Sequence, residues 1–162
     1  MDLDKKILRL LEQDAHLSSQ TIATMLDTEE SKVQQEIKRM EDEKVILGYA
    51  AIVNWEKTDC APVTAMIDVK VTPEREFGFN RIAERIYRYP EVRCVYLMSG
   101  TYDLSVIVEG KTMKEVASFV SHRLSTLEQV QSTTTHFILK RYKQDQFIFE
   151  DPEEDKRLVV SP

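Results

Sequence analysis

Cysteine is scarce in this chain of 162 residues. Only Cys60 and Cys94 occur, far apart and without a CxxC partner, so neither a disulfide framework nor a thiolate zinc site is indicated. Both are expected to be reduced, Cys94 on a strand and buried. Histidine is as sparse: His16, His122 and His136 show no ligand spacing, and no metal, cofactor or catalytic residue is expected. No apolar run approaches the roughly 20 residues that cross a bilayer. The N-terminus is acidic and mixed rather than basic-then-apolar, so no signal peptide is expected, and the prediction is a cytoplasmic protein without a membrane partner. An excess of basic charge is also missing. The net charge is −6, with no polybasic arm, and residues 1–50 hold eleven acidic against seven basic side chains. Residues 51–143 are +2 and residues 144–162 are −4.

What is present begins with three short amphipathic helices between Leu3 and Lys44. Leu3, Ile7, Leu10 and Leu11 recur at the spacing of one buried stripe, predicting a helix from about Asp4 to Gln13. A second opens on Ser18, whose hydroxyl can accept from a first-turn N–H, and buries Ile22, Ala23 and Leu26. Asp27 and Thr28 interrupt the pattern, and Asp27 with Glu30 has capping-box spacing. A third helix then runs to about Glu43 on the stripe Val33, Ile37, Met40. At 100° per residue, Ser31, Gln35 and Lys38 fall opposite that stripe, flanked by Gln34 and Arg39. These side chains, with Lys32 on the same helix and Ser18 at the entry of the second, are the candidate contacts to double-stranded DNA, since amide, hydroxyl and basic groups reach base edges and phosphates in a major groove. The plainer alternative is a solvated face on an ordinary three-helix unit. The acidic balance argues for that alternative, because a DNA footprint calls for the opposite sign.

Residues 63–143 alternate differently. Val63, Ala65, Ile67, Val69 and Val71 form one face of a strand stopped by Thr72-Pro73. Phe79, Ile82, Ala83 and Ile86 give a helix closed by Pro90. Residues 92–98 and 104–109 form a hairpin around Ser99-Gly100-Thr101-Tyr102-Asp103. Thr112 with Glu115 starts a helix burying Val116, Phe119, Val120 and Leu124. A β-rich run from about Val130 to Tyr142 completes βαββαβ, the ferredoxin-like split βαβ, with both helices on one face of an antiparallel sheet. Its other face is expected to carry Met66, Val95, Leu97 and Ile107, an apolar surface that calls for a partner.

The order of these segments resembles the Lrp/AsnC family of transcription regulators over about residues 2–143. The matching strings are Leu3-Asp4-Lys5-Lys6-Ile7-Leu8, the Leu17-Ser18 entry to the second helix, and Ile37-Lys38-Arg39-Met40-Glu41 running into Val45-Ile46-Leu47-Gly48-Tyr49. The resemblance implies an α+β fold: a winged helix-turn-helix domain over 1–47, a connector with a short strand Tyr49 to Asn54 over 48–62, a ferredoxin-like (RAM-type) effector-binding and oligomerisation domain over 63–143, and an acidic tail over 144–162. Three departures bear on DNA affinity rather than fold. Glu36 stands where the family usually has arginine, Glu29 where it opens the reading helix on serine, and Lys44 where it closes that helix on glycine.

The resemblance also implies a small-molecule effector, expected to be an amino acid, and a homo-oligomer built from dimers, up to octamers. Gly100-Thr101-Tyr102-Asp103 matches the family's effector turn. There a glycine lets backbone N–H groups meet a carboxylate, and Asp103 can face an ammonium. Ser99 adjoins this turn, and Thr133, Thr134 and Thr135 lie on the strand that the family uses to complete the pocket. Read locally, the same residues are a β-turn with Gly at a strained position and Asp pairing with the backbone. Two further readings of the whole chain stand beside the regulator: a ligand-binding interaction protein that has lost its DNA site, and an enzyme resembling tetrapyrrole decarboxylases. The tail, with Phe147, Phe149 and Leu158-Val159-Val160, is open between disorder and a strand against a neighbouring subunit.

Overall fold

The computed structural model describes residues 2–73 and 78–149. They divide into two compact units, one of residues 2–53 with 143–148, the other of residues 54–142 with Phe149.

The first unit is built on α1 (Leu3–Gln13), α2 (Ser19–Leu26) and α3 (Glu30–Asp42). Their apolar stripes meet in a core of Ile7, Ile22, Ala23, Val33 and Met40, with Leu26 and Ile37 half-buried at its edge. Ser18 caps α2 as its chemistry demands: its Oγ accepts from the Thr21 N–H at 3.1 Å. The Asp27–Glu30 capping box does not form. Asp27 instead closes α2 in the left-handed conformation (φ 50°), its N–H turned back to the carbonyls of Ala23 and Thr24, a geometry that aspartate tolerates better than most residues. That leaves α3 to start from Glu29 without a side-chain cap.

Lys44 explains one departure from the family pattern. Its φ is 60°, and Val45 and Ile46 beyond it both donate to the Met40 carbonyl, at 2.8 and 3.0 Å. The chain therefore makes the left-handed turn that glycine makes easily, at a penalty of about 1 kcal/mol for a side chain with a Cβ. Ile46 is returned to the core by that turn.

Residues 49–54 are not a strand. An extended segment becomes one only beside a ladder that takes its N–H and C=O groups, and among the described residues none pairs with it; the Tyr49 hydroxyl donates to Glu41 Oε1 instead. The start of the expected tail folds as a hairpin, β5 (Lys143–Gln144) with β6 (Phe147–Ile148) around a left-handed Asp145. This hairpin belongs to the first unit, where the Gln146 amide donates to the Gln13 carbonyl. The compact units thus divide the chain differently from 1–47, 48–62, 63–143 and 144–162. Leu158-Val159-Val160 lies outside the described residues.

The second unit opens on a 3-10 turn at Trp55–Lys57. It comprises β1 (Val63–Val71), α4 (Asn80–Tyr87), β2 (Val92–Leu97), β3 (Leu104–Gly110), α5 (Met113–Phe119) prolonged by a wider turn through Leu124, and β4 (Val130–Phe137). The antiparallel sheet has the order β2-β3-β1-β4, the split βαβ arrangement. Ala65, Ile67, Val69 and Val71 of β1 and Leu104, Val106 and Val108 of β3 meet Ile82, Ile86, Val116, Phe119 and Leu124 in the core. Thr112 caps α5 through its Oγ, which accepts from Glu115 N–H at 3.1 Å. The Glu115 carboxylate takes the Lys111 N–H in return.

The uncovered sheet face differs from expectation. Val95 pairs with Val106 and packs against the core, on the helix side. Leu97 pairs with the core residue Leu104, so it too points to the helix side, exposed at the strand end. A bulge between Val92 and Cys94 sets this register, shifting each later β2 side chain to the opposite face. Met66 and Ile107 remain on the open face, joined by Cys94, which is half-buried. Polar groups share it, including Asp68 and His136 with Nε2 and Oδ2 3.2 Å apart.

Candidate nucleic-acid interface and effector turn

Helix α3 presents Ser31, Lys32, Gln34, Gln35, Lys38 and Arg39 to solvent. Its N-terminal half is tied to α2 by three side chains. Ser19 Oγ donates to Glu30 Oε1 at 3.0 Å, and Gln34 Nε2 donates to the same oxygen at 3.0 Å and to Ser19 Oγ at 3.3 Å. Ser18 turns its hydroxyl to the helix start and to Thr21 Oγ1 at 2.8 Å.

The cations of α3 are unequal. Arg39 is gripped from both sides: Glu36 Oε2 accepts from its Nε and a terminal nitrogen at 3.0 and 2.7 Å, and Glu43 Oε2 accepts from the other at 2.7 Å. Asp4 stands 3.9 Å away. The Glu36 hydrogen bonds first, then those to Glu43, push the guanidinium pKa further above its ordinary value. Lys32 pairs with Glu29 at 3.4 Å. Lys38 makes no ion pair among the described residues and is exposed. The departures at Glu36 and Glu29 therefore have a local function, each neutralising a neighbouring cation at helical i, i+3 spacing.

In the second unit the structure brings together the two stretches assigned to the effector. The Tyr102 hydroxyl lies 2.7 Å from Thr134 Oγ1 within one chain. The three threonines do not act as a set. Thr134 pairs with Asp68 on the open face, whereas Thr133 and Thr135 pair with Val69 and Ile67, whose side chains enter the core. Period-two alternation makes that split unavoidable.

Asp103 is engaged inside the fold. Its Oδ2 accepts from the Val71 N–H at 2.9 Å and its Oδ1 from Lys70 Nζ at 3.2 Å, while its own N–H donates to the Val69 carbonyl at 3.1 Å. The Val71 hydrogen bond chiefly, then Lys70, holds its carboxyl below the usual carboxylate range against the opposing effect of burial. Gly100 has no left-handed φ, and a Cβ there would meet nothing within 4 Å. The turn is thus neither strained nor crowded at its glycine, which corrects that part of the β-turn reading. Ser99, Gly100 and Thr101 are exposed.

Acid titration tests the role of Asp103. A carboxylate with a depressed folded pKa stabilises the fold above its unfolded pKa, near 4, and that contribution is lost as pH falls through the lower folded value. Asp103→Asn is expected to lower stability at pH 7 by about 1 kcal/mol, because a hydrogen bond to a charged acceptor is replaced by one to a neutral acceptor. In thermal melts, the gap between variant and parent should narrow as pH falls from the ordinary carboxylate value through the lower folded one. A constant gap across the range would show that the charge is not what Val71 and Lys70 use.

Sequence reasoning missed Glu30, Ser19 and Lys70. Glu30 was legible as an i, i+4 partner of Gln34; the packing of α2 on α3 that adds Ser19 was not. It also missed an open cavity of about 890 Å³ floored by Val108, Val116 and Phe119 and rimmed by Cys60, His122 and Arg123. None of residues 99–103 lines it.

Both halves of the chain have counterparts among known proteins. Residues 2–41 match the AsnC-type helix-turn-helix domain and residues 64–148 the Lrp/AsnC ligand binding domain. The HTH-type transcriptional regulator YugG of Bacillus subtilis is 53% identical over 160 residues, 98% of this chain and 96% of its own. The HTH-type transcriptional regulator FL11 of Pyrococcus furiosus is 30% identical over 143 residues, 88% of this chain and 91% of its own. Among solved structures, a transcriptional regulator of Neisseria meningitidis in complex with L-Met superposes with a TM-score of 0.69 at 24% identity, covering 89% of this chain and 92% of that one. With both of its domains matched in order, and by relatives that span nearly its whole length, the chain belongs to the Lrp/AsnC family of DNA-binding transcriptional regulators.

Proposed function

We propose that this regulator responds to an amino acid bound at the Ser99–Asp103 turn, and that it acts on DNA as a homo-oligomer assembled from dimers through the open face of the sheet. The observation that carries the effector reading is the Tyr102–Thr134 hydrogen bond, which joins the turn to the last strand beside the Lys70–Asp103 pair. There an exposed turn backbone, a lysine ammonium and an aspartate lie together, the charge types that a zwitterion matches. Asp103 is already bonded, so Lys70 and the turn N–H groups are the stronger partners, and they suit the carboxylate end. The L-Met complex of the Neisseria regulator is consistent with such a ligand.

Exposed Met66 beside half-buried Ile107 on the open sheet face favours a second copy of this chain as its cover. Two recognition helices in one dimer, and more in a larger assembly, multiply effective concentration on DNA and offset the acidic balance of the first unit. Such a protein acts where the chromosome is, in the cytoplasm; no helix among the described residues is long and apolar enough to cross a membrane. The engaged Arg39 and Lys32 favour one second reading, a family member whose DNA contacts are weak. Relatives that are transcriptional regulators give no support to the decarboxylase-like reading.

Isothermal calorimetry across the common amino acids tests the effector proposal. At least one should bind, and Tyr102→Phe, which removes a single hydroxyl, should weaken that binding on the order of fivefold while the melting temperature stays near the parent's. Absence of heat from every amino acid would reject an amino-acid effector. Equal binding by Tyr102→Phe would move the site away from this turn.

A further inference from the structure

We propose that Glu30 and Ser19 hold the Gln34 side chain with its nitrogen turned inward, so that Gln34 offers its carbonyl oxygen to DNA. It would then select a base with an exocyclic amine, adenine or cytosine, over guanine or thymine on the contacted strand. The inference rests on α3 being the helix that enters the major groove.

The direction of the amide follows from chemistry. A carboxylate oxygen only accepts, so the amide atom 3.0 Å from Glu30 Oε1 is the nitrogen. The reversed amide would set its oxygen against that carboxylate. Ser19 strengthens the bias: its hydroxyl gives its proton to Glu30 at 3.0 Å, so its oxygen is free to accept, and Gln34 Nε2 lies 3.3 Å from it. Nitrogen inward leaves Oε1 outward. Glu30 is itself well placed to stay where it is, in the first turn of α3 where the helix dipole favours a negative charge.

Position supports the same role. Gln34 lies in the N-terminal half of α3, exposed beside the start of α2, and in helix-turn-helix proteins the N-terminal residues of the second helix meet base edges. In the major groove adenine N6 and cytosine N4 are donors, while guanine O6 and thymine O4 are acceptors. A glutamine free to turn over accommodates either class. One whose amide is fixed distinguishes them, and Glu30 does so without touching DNA, as a positioning residue.

Selection of bound sequences from a random duplex library by the full-length protein tests this, with Gln34→Ala, Glu30→Ala and Glu30→Gln compared and folding checked by thermal melting. The parent motif is expected to contain, in each half-site, one position at which adenine or cytosine exceeds guanine or thymine on the order of fivefold. Gln34→Ala and Glu30→Ala should both flatten that same position and leave the rest of the motif intact. Glu30→Gln removes the charge yet keeps an acceptor for Gln34 Nε2, so it should retain the preference; this separates orientation from the general gain in affinity that loss of a negative charge brings. A Gln34→Ala motif identical to the parent's, or a Glu30→Ala motif with the amine preference undiminished, overturns the inference while leaving DNA binding by α3 in place. A parent that enriches no motif overturns the reading of α3 together with it.

Discussion

Ile22→Ala is expected to unfold the three-helix unit at 37 °C and abolish DNA binding, while the sheet unit keeps its own transition. Ile22 is fully buried in a core whose other members are Ile7, Ala23, Val33 and Met40. Truncating an isoleucine in such a site costs about 2–5 kcal/mol in lost transfer energy and residual cavity. A unit of this size has a total stability of only about 3–8 kcal/mol, so one side chain carries a large share of it. The sheet unit stands on a separate core running from Ala65 to Leu124 and has no need of Ile22. Amide hydrogen exchange resolves the two: protection should vanish across α1 to α3 and persist in β1 and β3. Loss of protection in both regions at once would show that the units fold as one cooperative block.

The second large effect lies on the surface. Replacing Glu36 and Glu43 together by Gln should release Arg39, tightening DNA binding on the order of tenfold at low salt and steepening the salt dependence by about one phosphate's worth, a slope change near 0.9. The grip on Arg39 is firm in geometry yet exposed in environment, with side chains 45%, 33% and 51% accessible for Arg39, Glu36 and Glu43. Water and salt screen such exposed pairs, so each contributes little. The guanidinium is therefore held by partners that it can leave at little cost once they are neutralised. Removing two negative charges also favours DNA in general, so the same pair of substitutions is compared in an Arg39→Ala background, where the excess over simple additivity measures what Arg39 itself contributes. Lys38→Ala in the parent should weaken binding more than Arg39→Ala does, because Lys38 is unpaired among the described residues. Equal losses, or a gain at Glu36 and Glu43 that survives without Arg39, would mean that the clamp does not restrain DNA binding.

Much of this was readable from residue order, and the misses have a common cause. Helix α2 begins where Ser18 can cap it, and β1 ends at Thr72-Pro73, because caps and breakers act within a few residues. Each apolar stripe of α1 to α5 found its core for the same reason: 100° per residue is a local rule. The bulge at Val92–Cys94 could not be foreseen from β2 alone, and through it Val95 and Leu97 moved to the helix side. Asp27 belonged to the end of α2 rather than to the start of α3. The isolated string allowed both, and the αL turn was selected by how α2 and α3 pack.

The candidate sites divide in the same way. Residue order was enough for the helix-turn-helix and split βαβ architecture, the outward face of α3 and the position of the Ser99–Asp103 turn, since periodicity, capping and turn chemistry all operate over short spans of chain. Tertiary structure alone decided which of those side chains are already engaged. Asp103 is held by Val71 and Lys70, residues more than thirty positions away in the chain, and Gln34 is turned by Ser19 on another helix. Hydrogen-bond partners of that separation are set by how strands register and helices cross. These are properties of the packed whole, because a polar group takes whichever partner the fold brings within about 3 Å.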